Sequence, residues 1–265
     1  MKARVLSAAV LLALVGVCMF LSPASRVLFL CAAAVIAAKE MRDVQGILGH
    51  KAPLWPAVCY IALHGVLCLI AAPLWALTAL FVAAVLLQLC ICIADESCHA
   101  QGAQGALFCM VYPTALFAVI IRLATAENWL HFFAVGALAT WLCDAFALFG
   151  GMAFGKHKLA PSVSPKKTVE GSVCGALMSV LGGVAAWALL KGHGGPALWV
   201  CAATALIAST MGQFGDLAAS LFKRESGVKD YSNLIPGHGG MMDRADSLLF
   251  SVPTAWLCIT LAQLI

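Results

Sequence analysis

Long apolar stretches alternate with short polar segments along almost the whole chain. A helix needs roughly 20 apolar residues to cross a bilayer core, and we find about nine stretches of suitable character. They run approximately from Val5 to Leu21, Val27 to Ala38, Leu54 to Ala71, Leu74 to Ile93, Ala106 to Ile121, Trp129 to Phe149, Ser172 to Leu190, Ala197 to Leu221 and Leu248 to Ile265. The stretches are continuous, whereas barrel strands alternate polar and apolar residues. The pattern therefore predicts an all-α, polytopic integral membrane protein.

Composition supports a membrane environment. Of the 265 residues, 63% are hydrophobic and 11% are charged, which is more apolar surface than one soluble core can bury. Lys2 and Arg4 before an apolar stretch also suit a cleaved signal peptide. We favour a retained span, because the later stretches already commit the chain to the membrane.

The distribution of basic residues predicts the orientation. Lys and Arg are concentrated in alternate connecting segments, above all 156–167 and 223–244. Cytoplasmic loops carry this excess, so we expect the N-terminus and both long loops in the cytoplasm and the C-terminus outside. We expect one membrane domain, 1–265, in a bacterial inner membrane, with an endomembrane as the alternative, and no nucleic-acid partner.

The first long polar loop, residues 154–171, carries a basic cluster. Ser164 is predicted to be a helix N-cap and Pro165 the first helical residue. Lys166, Lys167 and Thr168 would then lie in the first turn, where backbone N–H groups, positive charge and a hydroxyl favour phosphate. The alternative is that this loop is only a basic anchor at the membrane surface.

The second long polar segment starts inside the eighth stretch. On a helix, Asp216 and Ser220 share a face with Lys223 or Arg224. This face is expected to point towards the cytoplasm.

Four acids are candidates for a common site. Asp243 and Asp246 are three residues apart after a glycine-rich segment, so one helix would place them on one face. Asp144 and Asp216 lie in apolar stretches, where an ionisable group costs roughly 2.5 to 3.5 kcal/mol and is a functional candidate. We expect all four at one depth, where carboxylates and substrate phosphates could share Mg²⁺.

The stretch from Ser220 to Asp246 resembles the signature of phosphatidate cytidylyltransferases, also called CDP-diacylglycerol synthases. The matching segments are Ser220-Leu-Phe-Lys223-Arg224, Lys229-Asp230, Pro236-Gly-His238-Gly-Gly240, Asp243-Arg244-Ala-Asp246 and, earlier, Ser164-Pro165-Lys166-Lys167-Thr168-Val-Glu170-Gly171. The resemblance places the catalytic portion at about residues 140–250.

The resemblance implies that phosphatidic acid and CTP give CDP-diacylglycerol and pyrophosphate. It also implies Mg²⁺ with a monovalent cation such as K⁺ nearby, a membrane lipid environment and a homodimer. The expected metal ligands are Asp216, Asp243 and Asp246. The expected catalytic residues are Asp216, Asp243, Lys223, Arg224, His238 and Arg244. The expected substrate-binding residues are Ser164, Lys166, Lys167, Thr168, Ser220, Lys229 and Asp144.

Two other functions fit parts of the pattern. A CTP-dependent lipid kinase would share a membrane site but transfer the γ-phosphoryl group, and release of CDP would distinguish it. A transporter could also place acids at helix ends, but we see neither inverted repeats nor paired broken helices in the sequence.

Overall fold

The computed structural model describes residues 13–50, 53–95, 98–234 and 239–264. The chain forms two compact units. The first comprises Met1–Ala126 and Glu225–Arg244, and the second comprises Glu127–Arg224 and Ala245–Ile265. The expectation of a single membrane domain stays a prediction.

The first unit is built from six α-helices and a π-helical turn within the described residues. They are α1 (residues 13–21 of the described chain), α2 (Pro23–Ile47), α3 (Trp55–Leu69), α4 (Leu74–Ala94), α5 (Ala100–Cys109), the turn Met110–Ala115 and α6 (Leu116–Ala124). The start of α2 is specified locally. Ser22 and Ser25 each accept the other's backbone N–H at 3.0 Å, and Pro23 occupies the first turn, where its missing N–H has no helical partner to lose.

The second unit is also mainly helical. Its elements are α7 (Trp129–Phe154), β1 (Lys158–Ala160), β2 (Ser164–Thr168), α8 (Val169–Leu190), a 3₁₀ turn (Lys191–His193), most of α9 (Leu198–Glu225) and α11 (Leu248–Ala262). The short helix α10 (Met242–Ala245) contains the boundary between the units.

Glycines allow α7 and α8 to pack closely. A β-carbon on Gly182 would lie 2.7 Å from the Leu138 carbonyl oxygen, and one on Gly150 would lie 2.6 Å from the Cys174 β-carbon. Small residues permit this approach between membrane helices, where apolar burial gives little drive for association. We call this contact the glycine seam.

The structure confirms the helical membrane class. Within the described residues, six helical segments are long and apolar enough to cross a membrane. They are Leu74–Ala94, Ala100–Ala124, Trp129–Phe154, Val169–Leu190, Leu198–Glu225 and Met242–Ala262. Three predicted spans are not among them: the first is described only from residue 13 onwards, the second falls within α2, and the third forms the 15-residue α3. The number nine and the orientation stay predictions.

The predicted helix start at Ser164 and Pro165 is wrong. Residues Ser164–Thr168 form β2, which pairs antiparallel with β1, and the next helix begins at Val169 with Thr168 as its N-cap. Thr168 has an extended backbone, with φ −121° and ψ 153°. Pro165 is tolerated because a short hairpin strand need not use every ladder N–H. The basic residues therefore lie on a strand and not in a helical turn.

Candidate active site

The hairpin that carries the basic residues is fixed at its base by Thr168 and Glu170. The Thr168 hydroxyl accepts the Gly171 N–H at 3.1 Å, which satisfies one of the free donors at the start of α8. The Glu170 carboxylate accepts the Lys156 N–H at 3.0 Å and contacts the His157 Nδ1 at 2.6 Å. The entry and exit of the hairpin are thus held together.

Lys167 connects the hairpin to the acids of the apolar helices. Its ammonium forms an ion pair with the Asp216 carboxylate, and the two side chains are 28% and 29% exposed. Asp144 on α7 lies close enough to interact electrostatically with both Lys167 and Asp216. The structure therefore brings together Asp144 and Asp216, the two acids predicted from their position in apolar stretches. Lys167 supplies the positive charge beside them.

The polar face predicted for α9 contains both buried and exposed side chains at the C-terminal end of the helix. Ser220 and Lys223 are buried, at 7% and 8% exposure. Arg224 is exposed, and its Nε donates to the Val163 carbonyl at 3.2 Å. Lys223 thus lies on the face of Asp216, whereas Arg224 binds the backbone of the hairpin.

Asp246 joins the Asp216 cluster, but not from a continuous helix. It lies in a turn between α10 and α11, so the expectation that Asp243 and Asp246 belong to one regular helix is wrong. The Asp246 carboxylate accepts the Ser247 N–H at 2.7 Å, which satisfies a donor exposed by the break. Its carboxylate lies close enough to interact electrostatically with Asp216 and with Lys223.

A cavity of about 410 Å³ opens beside this cluster. Asp144, Lys166, Lys167 and Thr168 line its polar part, together with side chains that include Ser172 and Gln213. Its remaining wall is apolar and includes Leu148, Met152 and Leu159. The cavity therefore offers cationic and hydroxyl groups next to a hydrocarbon surface.

Asp243 belongs to the first unit and organises the loop before it. Its Oδ2 accepts the Tyr231 N–H at 2.8 Å and the Gly240 N–H at 2.9 Å. Gly239 has φ +80°, and a β-carbon there would lie 2.8 Å from the same oxygen. The loop therefore requires a residue without a side chain at this position.

Glu40 contacts the loop before Asp243 and was not predicted from the sequence. It is 3% exposed on α2, yet it lies next to the loop that precedes Asp243 and accepts three hydrogen bonds from it. In the sequence it is an acid two residues after the apolar run that ends at Ala38, with Lys39 and Arg42 nearby. This local pattern does not distinguish Glu40 from other charged residues outside the apolar stretches.

The other predicted residues occupy less defined places. Ser164 is half-buried at the start of β2, and Lys229 and Arg244 are exposed in the first unit. His238 lies outside the described residues.

The carboxylates of the second unit fit a divalent cation whose coordination is completed by the substrate. Across the part of the chain that the structure describes, no three His, Cys, Asp or Glu side chains are grouped closely enough to hold a metal alone. Mg²⁺, however, is usually held by one or two carboxylates and by substrate phosphates. Asp216 and Asp246 would supply two carboxylates of this kind, since they lie close enough to interact with each other.

The fold and this cluster define a helical membrane protein with lysines and carboxylates gathered at one cavity. The chain belongs to the cytidylyltransferase family, whose sequence model matches residues 2–262. It is 43% identical over 129 residues to the phosphatidate cytidylyltransferase of Staphylococcus saprophyticus, covering 49% of each chain. The corresponding proteins of Staphylococcus haemolyticus and Staphylococcus aureus are 41% identical over 130 residues and 40% identical over 129 residues, again with 49% of each chain covered. The chain thus spans about half the length of the curated relatives it matches.

Proposed function

We propose that this protein is a phosphatidate cytidylyltransferase, which converts CTP and phosphatidic acid to CDP-diacylglycerol and pyrophosphate. The observation that carries the proposal is the cavity in which Lys166 and Lys167 face Asp144 beside an apolar wall. A phospholipid with a phosphate monoester head needs both surfaces. The names of the relatives support the same substrates.

The reaction joins two anions, so positive charge is its main requirement. A phosphate oxygen of phosphatidic acid attacks the α-phosphorus of CTP, and the bond from that phosphorus to the β-phosphate oxygen breaks as pyrophosphate leaves. Lys166 and Lys167 would neutralise substrate phosphates at the cavity, and the buried Lys223 would add charge beside Asp246. A phosphate monoester is already a nucleophile at neutral pH, and no separate strong base is needed.

The second unit would hold Mg²⁺ through Asp216 and Asp246. In such sites the ion neutralises phosphate oxygens and makes the phosphoryl group easier to attack. Lys167 would hold Asp216 in position until the ion and nucleotide arrive, because the two are already ion-paired. The assignment of Asp243 as a further ligand comes from the family signature and stays a prediction.

The proposal extends to the surroundings of the enzyme. It places the active site on the cytoplasmic face of a bacterial inner membrane and includes K⁺ beside Mg²⁺ and a homodimer. The excess of Lys and Arg in the segments 156–167 and 223–244 supports this orientation.

The test is to incubate the purified full chain with phosphatidic acid, Mg²⁺ and each of the four nucleoside triphosphates in turn. Pyrophosphate, nucleoside diphosphate and nucleotide-linked lipid are measured together. We expect pyrophosphate and CDP-diacylglycerol in equal amounts, with CTP as the preferred nucleotide. Release of CDP with a newly phosphorylated lipid would instead identify a lipid kinase. Absence of any lipid product from folded protein would refute the proposal.

A further inference from the structure

Glu40 is a buried carboxylate that the proposed chemistry does not use. At 3% exposure it has lost nearly all its contact with solvent, and such burial is costly unless the charge is fully hydrogen-bonded. Its neighbour Asp43 on the same helix is 41% exposed and pairs with Lys39 and Arg42. The two acids of α2 therefore have different roles.

Three hydrogen-bond donors to the Glu40 carboxylate come from one distant loop. Its Oε1 accepts the Ser232 hydroxyl at 2.6 Å and the Met241 N–H at 3.0 Å, and its Oε2 accepts the Met242 N–H at 2.7 Å. The two backbone donors immediately precede Asp243. The carboxylate thus fixes both ends of the loop segment from 232 to 242.

Two adjacent glycines of this loop, Gly239 and Gly240, lie against the carboxylates of Asp243 and Glu40. A β-carbon on Gly240 would lie 2.6 Å from the Glu40 carboxyl carbon, while one on Gly239 would lie 2.8 Å from the Asp243 Oδ2. Gly240 also donates its N–H to Asp243 at 2.9 Å. One residue therefore contacts both acids, so a displacement of Glu40 is passed directly to the Asp243 carboxylate.

We infer that Glu40 is a positioning residue: its carboxylate holds the Gly240–Met242 backbone and so fixes the direction in which Asp243 presents its carboxylate. The effect on catalysis rests on the proposed function and on Asp243 as a metal ligand. The effect on the loop does not. Groups that orient a metal ligand typically change affinity or activity 10- to 100-fold when they are removed.

The first experiment compares Glu40→Gln with Asp43→Asn as a matched acid-to-amide change on the same helix. A glutamine can accept at only one of the two positions, so it must lose the hydrogen bond from the Met242 N–H or the one from the Met241 N–H, whereas the Ser232 hydroxyl can accept from its amide. We expect hydrogen exchange at Met242, or at Met241, to accelerate about tenfold, the equivalent of one hydrogen bond. We also expect the half-saturating Mg²⁺ concentration for CDP-diacylglycerol synthesis to rise about 10- to 100-fold. Asp43→Asn should change neither quantity.

A double-mutant cycle tests the contact in a second way. Gly240→Ala should impair the enzyme, because its methyl group meets the Glu40 carboxylate. Glu40→Ala removes that carboxylate, so the double variant should be no worse than Glu40→Ala alone. Should Glu40→Gln prevent folding, Ser232→Ala provides a milder change, with a few-fold rise in the Mg²⁺ requirement expected.

The inference is overturned if Glu40→Gln leaves exchange at Met241 and Met242 unchanged, or if the losses in the double variant simply multiply. It is also overturned if exchange accelerates while the Mg²⁺ requirement keeps its wild-type value, since Glu40 would then be only structural. Absence of CDP-diacylglycerol synthesis by the wild-type protein would refute the proposed function instead. The exchange measurement would still decide whether Glu40 holds the loop.

Discussion

Replacement of Asp243 by Asn should separate the structural role of this side chain from its charge. Two backbone N–H groups, from Tyr231 and Gly240, donate to the same oxygen, Oδ2. An asparagine can place its carbonyl oxygen there and its amide nitrogen at the position of Oδ1. We therefore expect Asp243→Asn to preserve the loop while removing the negative charge.

The magnitudes follow from the two hydrogen bonds. A bond to a charged acceptor contributes about 1.5–3 kcal/mol and a neutral one about 0.5–1.5 kcal/mol, so Asn should cost roughly 2 kcal/mol in unfolding free energy. Asp243→Ala removes the acceptor altogether. Two donors that lose a buried partner cost about 2–6 kcal/mol together, at about 1–3 kcal/mol each. The alanine variant should therefore be clearly the less stable of the two.

The assay combines denaturant unfolding in detergent with CDP-diacylglycerol synthesis over a range of Mg²⁺ concentrations. We expect Asp243→Asn to lower kcat at least about 100-fold, as for the loss of a strong electrostatic contact in an active site. Full activity with unchanged Mg²⁺ dependence would show that Asp243 is not a ligand. Equal instability of the Asn and Ala variants would refute the hydrogen-bond argument.

Three further variants test the second unit. Gly182→Ala should destabilise the protein by about 1–3 kcal/mol in thermal unfolding, because its methyl group meets the backbone of Leu138, whereas Gly192→Ala, with open space around it, should be neutral. Thr168→Val should lower the free energy of unfolding by about 1 kcal/mol, because the N-cap of α8 is lost. Thr78→Val, at an exposed position of α4, should not lower it. Equal losses of stability in the two variants would show that the cap contributes nothing. Lys167→Met should lower kcat/KM for CTP roughly 100-fold, because it leaves Asp216 without its ion-pair partner. Replacement of the exposed Lys166 by Met should mainly raise KM. The reverse order would contradict the assigned roles.

The sequence was sufficient for the helices because length and apolarity alone decide whether a segment can cross a bilayer. α4 and α7 are examples, and both extend close to the predicted limits. It also identified Asp144 and Asp216 from their cost in an apolar segment, and the structure places them together.

The incorrect predictions concern segments whose local sequence is compatible with two structures. Ser164 followed by Pro165 suits a helix start, but it also suits a short strand, and only the pairing of β2 with β1 decides between them. The position of Asp246 depended on a break before α11 that the helical spacing does not reveal. Glu40 could not be found from local pattern, because its partners lie about 200 residues further along the chain.

The glycine seam restricts how the cavity beside Asp144 can open. α7 and α8 touch through their backbones at Gly182 and Leu138, and rigid close-packed helices cannot separate without losing the whole contact at once. Asp144 and Ser172, on these two helices, therefore form a wall of fixed width. The β1–β2 hairpin forms another part of the boundary, where Lys166, Lys167 and Thr168 line the cavity. Under the proposed function, a lipid that entered by displacement of the hairpin would have to break the Lys167–Asp216 ion pair and the Arg224–Val163 hydrogen bond.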